Sequence, residues 1–171
     1  PARARVKFEV EHPFDAPVAR VADLRLDPKF EAGVQLPDVA LPEVLAAESE
    51  GTVTTLRMRY EYTGSLDPIA RRIIGASKLT WIQEARFDRA TNSGTLSIAA
   101  EVNPKQLNAH ATLTLSPNGD DACARRLAGD FVVKVPIIGG AAERRILPGV
   151  LARLDVEARA LRARLDDTVW P

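Results

Sequence analysis

Hydrophobic and polar residues alternate along most of this chain, and the alternation gives way to a helical period near its end. In "RVKFEVEHPF", Val6, Phe8 and Val10 share one face while Lys7, Glu9 and Glu11 share the other, the pattern of a half-buried strand. "DAPVARVADLRLDPKF" follows, with Asp15 as a candidate N-cap and Pro17 in the first turn of a short helix. Asp27-Pro28 breaks that helix, and a second short one is predicted to begin near Pro28.

The middle of the chain reads as strands. Leu56, Met58, Tyr60 and Tyr62 fall on one face of the first. Leu79, Trp81, Gln83, Ala85 and Phe87 do so on the next. Leu96, Ile98, Ala100 and Val102 follow, then Ala109, Ala111, Leu113 and Leu115, then Cys123, Leu127, Phe131, Val133 and Val135. The connectors "TNSG", "VNPKQ" and "SPNGD" are turn chemistry, short enough for antiparallel neighbours. "VALPEVLAAESEG" is open between an edge strand interrupted by Pro42 and a loop with a helical turn. "DPIARRIIG" reads as a short helix between strands.

Gly139-Gly140 then predicts a tight bend into a long terminal helix. Leu147, Val150, Leu151, Leu154, Ala158, Leu161 and Leu165 recur at three- and four-residue steps and form one apolar face. Arg153 with Glu157, Asp155 with Arg159, and Arg162 with Asp166 are expected as solvent-side pairs four apart. Pro148 either starts this helix or kinks it. Twenty helical residues span roughly 30 Å, about the width of six or seven strands at ~4.8 Å each, so the helix can cross the whole sheet. Trp170 either staples the helix terminus or is exposed.

The order of strand, two short helices, antiparallel strands and long terminal helix resembles the helix-grip fold of the START-like, polyketide cyclase/dehydrase superfamily. "VKFEVEHPFDAPVARVADLRLDPKF" and "VKVPIIGGAAE" resemble, more narrowly, an uncharacterised bacterial family within it. The resemblance implies an α+β fold. A curved antiparallel sheet of six to seven strands would carry two short helices after its first strand and the long C-terminal helix packed across it. It also implies a hydrophobic ligand cavity between sheet and helix, and brings no catalytic set with it.

Composition limits the function. With 171 residues, 46 % apolar and 27 % charged, the chain suits one globular domain, 1–171, large enough for a proper core. Its 23 basic and 23 acidic side chains cancel, so there is no electrostatic reason to expect nucleic acid or an anionic membrane as partner. No apolar run approaches the ~18 residues of a membrane span. A start at Pro1, with no signal-peptide pattern, suggests a trimmed N-terminus. The lone Cys123 excludes an internal disulfide and a cysteine zinc site, and a reducing, cytoplasmic location is the expectation. It reads as a small buried apolar residue.

Candidate chemistry is sparse. His110 lies among threonines on an outward face, and His12 sits at a strand end with no carboxylate paired to it by the pattern. Two histidines and one cysteine offer no metal-ligand spacing, and no phosphate loop, nucleophile elbow or dinucleotide fingerprint is present. No cofactor is expected. The stripe of Leu56, Met58, Tyr60 and Tyr62 is either packed core or pocket lining. The small inward residues Ala85, Ala100, Ala109, Ala111 and Gly129 favour a void, because a close-packed interior must otherwise draw the helix down onto them. Arg125 is either a strand-end guanidinium in water or, with Tyr60, Tyr62 and Gln83, an anchor for a ligand's polar end.

The expected lining is therefore Leu56, Met58, Tyr60, Tyr62, Trp81, Gln83, Ile98, Leu113, Arg125, Phe131 and Leu154. The expected function is binding or carriage of a small hydrophobic molecule, whether lipid, sterol-like or polyketide-like. The alternatives are a cyclase or dehydratase using Tyr60, Tyr62 or Arg125, and a structural domain with a filled core.

Overall fold

A computed structural model describes residues 5–66, 68–75, 78–134 and 139–167. Seven strands are present: β1 (Arg5–Phe14), β2 (Glu43–Glu50), β3 (Val53–Glu61), β4 (Thr80–Asp88), β5 (Ser93–Ala100), β6 (Leu107–Pro117) and β7 (Cys123–Val133). The helices are α1 (Val18–Arg25), α2 (Pro28–Gly33), α3 (Pro68–Ile74) and α4 (Gly139–Asp166). The strands form one antiparallel sheet in the order β1-β7-β6-β5-β4-β3-β2. Strands consecutive from β2 to β7 are antiparallel neighbours, with α3 in the connection from β3 to β4, whereas β1 and β2 lie on opposite edges. The segment holding α1 and α2 therefore carries the chain from one edge to the other. This is the α+β helix-grip architecture.

Local chemistry accounts for the element ends. The turn from β2 to β3 is closed by Gly51 at φ 58°, a left-handed conformation that costs glycine little. Asp27 caps α2 by accepting from the Lys29 backbone N–H at 2.9 Å. The expected cap of α1 is different: Pro17 stands at that position and no side chain caps the helix, so Asp15 does not serve. The Pro42 ambiguity resolves as an edge strand, because β2 begins immediately after the proline, where no ladder N–H is required. Nearly all of β2 is exposed.

Helix α4 has 28 residues, about 42 Å of rise, and Pro148 lies inside it rather than at its start. Gly139 and Gly140 already belong to this helix; the connection through residues 135–138 and Trp170 lie outside the described residues. The helix packs most closely against β1, β7 and α1.

Its last half closes one end of the sheet. Leu154, Ala158 and Leu161 meet Phe14, Val21, Leu24, Phe87, Leu96, Leu113 and Leu127 there in the largest buried cluster. Ala85 and Ala111 belong to this cluster and Ala109 to a second one with Phe131 and Val133. These small residues therefore admit neighbours rather than leave a void. Gly129 is filled in another way: a Cβ there would run into the His110 carbonyl oxygen and the Ala111 Cα of the paired strand. Neither can move without shifting the sheet. Gly129→Ala is expected to cost about 1–3 kcal/mol of stability, seen as a lower urea midpoint at unchanged slope.

Candidate functional site

The opposite end of the sheet's inner face is not filled. A cavity of about 560 Å³ lies between it and the first half of α4. Trp81 and Gln83 of β4, Ile98 and Ala100 of β5, and Leu107 and Phe131 of β6 and β7 form its floor. Ile146, Gly149, Val150, Arg153 and Leu154 of α4 cover it, and Leu66, Ala70 and Ile74, at and within α3, close one side. Ser65, exposed, marks the rim. Tyr60 and Trp81, directly paired across β3 and β4, stack at 5.4 Å with their planes 6° apart, which makes one rigid aromatic wall. Arg153 straps the rim: it donates to the carbonyls of Gly149 (2.9 Å) and Pro37 (3.2 Å) and covers the Tyr62 ring at 5.6 Å.

Of the expected lining, Tyr60, Tyr62, Trp81, Gln83, Ile98, Phe131 and Leu154 surround this cavity. Leu56, Met58, Leu113 and Arg125 do not. Leu56 and Met58 pack with Val39 and Tyr60, and Leu113 lies in the largest core cluster. They share the inward face but are covered by other segments, Leu56 and Met58 by Ala32, Leu36 and Val39, a distinction that alternation cannot make.

Arg125 departs from both of its expected settings. It is 1 % exposed, so neither in water nor in the cavity wall. Its Nη1 donates to Glu157 Oε1 at 3.0 Å, and its Nη2 lies 3.2 Å from His12 Nδ1. Arg25 Nε stands 2.9 Å from the same Glu157 oxygen, and Arg25 Nη1 stands 3.2 Å from Glu31 Oε1. His12 Nε2 is 2.7 Å from Asp155 Oδ1. An arginine can only donate, so His12 Nδ1 accepts and the ring proton sits on Nε2, donated to Asp155. A neutral histidine satisfies both neighbours. β1, β7, α1, α2 and α4 are thus tied by one buried ionic cluster. Glu31 and Glu157 reach the cavity, with Arg25, Arg125 and His12 behind them.

Electrostatics follow from this arrangement. Burial pushes the Glu31 carboxyl up to about 8; Arg25 opposes the rise and Glu157 adds to it. Burial also pushes Glu157 up, but Arg125 and Arg25 outweigh it and hold this carboxyl below its ordinary range. Burial lowers His12, against the pull of Asp155. Burial and then Glu31 keep the Tyr60 hydroxyl well above its usual value.

The solvent-side pairs expected on α4 are not the pairs that form. Glu157 is buried among the arginines, Asp155 holds His12, Arg153 straps the rim, and Arg162 donates to the Pro13 carbonyl at 2.9 Å. Part of this was recoverable from spacing. Glu157 lies three residues after Leu154 and four before Leu161, on the apolar face itself. Arg25 continues the stripe of Val18, Val21 and Ala22. Glu31, in a six-residue helix, has no such signal. His110 is exposed and Cys123 buried, as their faces predict. Among the described residues no His, Cys, Asp and Glu side chains group to hold a metal, and no helix is long and apolar enough to cross a membrane.

The sequence pattern of the family described as "Protein of unknown function (DUF2505)" matches residues 9–165. The chain belongs to the DUF2505 family. No curated protein matches it. Among solved structures this DUF2505 chain is similar to the Zhui aromatase/cyclase of Streptomyces sp. R1128, with TM-score 0.67 and 14 % identity over 98 % of this chain and 97 % of that one. It is similar to norcoclaurine synthase of Thalictrum flavum, solved with dopamine and hydroxybenzaldehyde, at TM-score 0.63 and 13 % identity over 99 % and 91 %. A START superfamily protein of Mycobacterium smegmatis gives TM-score 0.55 and 19 % identity over 94 % and 95 %. At these identities the likeness is one of fold, and the DUF2505 fold is START-like.

Proposed function

We propose that this chain, read as one domain, binds or carries a small, largely apolar molecule in the space between the sheet and α4. The observation that supports this is the cavity of about 560 Å³, walled chiefly by aliphatic and aromatic side chains and within the size range of small-molecule sites. Burying a guest's apolar surface at ~25 cal/mol per Å² supplies affinity without a recognition motif. Lipid, sterol-like and polyketide-like frames all suit such a wall. Balanced charge favours a small-molecule partner over nucleic acid, and the lone buried thiol favours the cytoplasm.

The test is to fill the cavity. Ala100 is 3 % exposed and lines it, so Ala100→Trp is expected to weaken binding of the neutral fluorophore N-phenyl-1-naphthylamine at least tenfold. The far-ultraviolet circular dichroism should be retained. Unchanged affinity in the folded variant would place the probe elsewhere and remove the support. Met58→Trp is not a substitute, because Met58 is core at 1 % exposure and the larger ring would overpack it.

A second reading, catalysis of the cyclase or dehydratase type, is favoured by an acidic side chain in the wall. Glu31, Tyr60 and Tyr62 reach the cavity, whereas Arg125 does not. Recovery of chemically altered guest after incubation, analysed by mass spectrometry, would select this reading over carriage.

A further inference from the structure

The cavity has one polar end, and its chemistry narrows the guest. We propose that the Glu31 carboxylic acid donates a hydrogen bond to a carbonyl oxygen of the guest, so that the cavity selects neutral, mostly apolar ketones, aldehydes or esters over hydrocarbons of the same shape. The proposal deepens the binding reading above and rests on it.

Burial in the cavity wall beside a second carboxylate supports a protonated Glu31. Around it stand Arg25 from α1, Arg125 from β7, His12 from β1, Tyr60 from β3, and Arg153, Asp155 and Glu157 from α4. Arg25 and Arg125 share the Glu157 carboxylate, at 2.9 and 3.0 Å, while Asp155 stands on the outer side of His12, which is neutral by its hydrogen bonds. Arg153 at the rim donates through its two Nη atoms to carbonyls and covers the Tyr62 ring, with its Nε left without a partner among the described residues. Ionising Glu31, which is 3 % exposed, would put an extra buried charge beside Glu157. As an acid it is neutral and presents an O–H in the wall.

The same surroundings disfavour other guests. An anion would meet the Glu157 carboxylate, and the two guanidiniums behind it, Arg25 and Arg125, already share that carboxylate. A cation would sit beside Arg25 and Arg153. A neutral acceptor matches the donor without changing any charge. Leaving that donor unmatched against a hydrocarbon carries the cost of an unsatisfied buried polar group.

The experiment compares two probes of similar shape, 2-acetylnaphthalene and 2-isopropylnaphthalene, by isothermal titration calorimetry at pH 6.5 and 9.5. At pH 6.5 the ketone is expected to bind about five- to tenfold tighter. At pH 9.5 that advantage should vanish. Glu157 is held below its ordinary range, His12 below 6.5 and the Tyr60 hydroxyl well above its usual value, so Glu31, raised to about 8, is the member that changes between the two values. Glu31→Gln, whose amide still donates, should keep the preference at both pH values, and Glu31→Leu should abolish it. Equal affinities at pH 6.5, or a preference in the wild-type chain that survives at pH 9.5, would overturn the assignment while leaving the cavity reading intact. Absence of binding by either probe to the folded protein would overturn both.

Discussion

Glu157→Leu is expected to destabilise the protein by about 3–5 kcal/mol, the cost of removing one partner from a buried ion pair. The Glu157 carboxylate stands between Arg125 at 3.0 Å and Arg25 at 2.9 Å, and both guanidiniums are almost wholly inaccessible. Without Glu157 they face each other in a site that water does not reach. A loss of this size is a large share of the ~5–15 kcal/mol that holds an ordinary domain together. Urea unfolding measures it. Glu157→Gln, which keeps an acceptor but drops the charge, should lose less. A loss under about 1 kcal/mol for Glu157→Leu would mean that the arginines find other partners, and that the cluster does not anchor α4. Glu157 ties α4 to β7 through Arg125 and to α1 through Arg25, so the variant should also loosen the helix over the cavity.

Stability should fall as pH rises from 6.5 to about 8, and the cause is Glu31. Its carboxyl is raised from 4.5 to about 8, so over that range the native state keeps a proton that the unfolded chain has released. Stability is then highest at the acid side and drops by about 1.4 kcal/mol per pH unit until the folded value is passed. The full excursion between 4.5 and 8 is on the order of 4–5 kcal/mol.

His12 and Glu157 act with the opposite sign. His12 is held below 6.5, so its contribution is lost as pH falls under that value. Glu157 is held below 4.5, and its contribution is lost under 4.5. Cys123 is raised above 9.0 by burial and enters only at higher pH. The range from 6.5 to 8 therefore isolates Glu31. Urea midpoints taken across it should decline in the wild-type chain and stay level in Glu31→Gln. The decline should also weaken in Glu157→Leu, because Glu157 is one of the charges that raise Glu31. A flat wild-type profile would show that Glu31 is ionised in the native state.

Much of the architecture was legible because each element writes its period into the chain. Alternation located every strand from β3 to β7, and the three-four repeat located α4. The apolar face of that helix was nonetheless read too narrowly. Treating Glu157 as a solvent-side partner of Arg153 followed charge type instead of angular position, and position was the better guide. Arg125 failed for a related reason. Alternation placed it inward, where an isolated charge is prohibitive; its partners come from α4 and β1, more than thirty and more than a hundred residues distant in sequence, and no local pattern reports them.

What the chain determines by itself is direction: which side chains face the interior of the sheet and which side of the last helix meets them. That follows from the fixed periods of strand and helix, set by backbone geometry alone. Tertiary structure decided where along that interior face the space is filled. Leu56, Met58 and Leu113 point the same way as Tyr60, Trp81 and Ile98, yet the first three are core and the others wall. The difference arises because α1 and the last half of α4 cover Leu113, while Ala32 of α2 with Leu36 and Val39 covers Leu56 and Met58. The buried charges of five elements meet at the boundary with the empty end. Packing and long-range ion pairing are properties of segments distant in sequence, and only their assembly places a cavity.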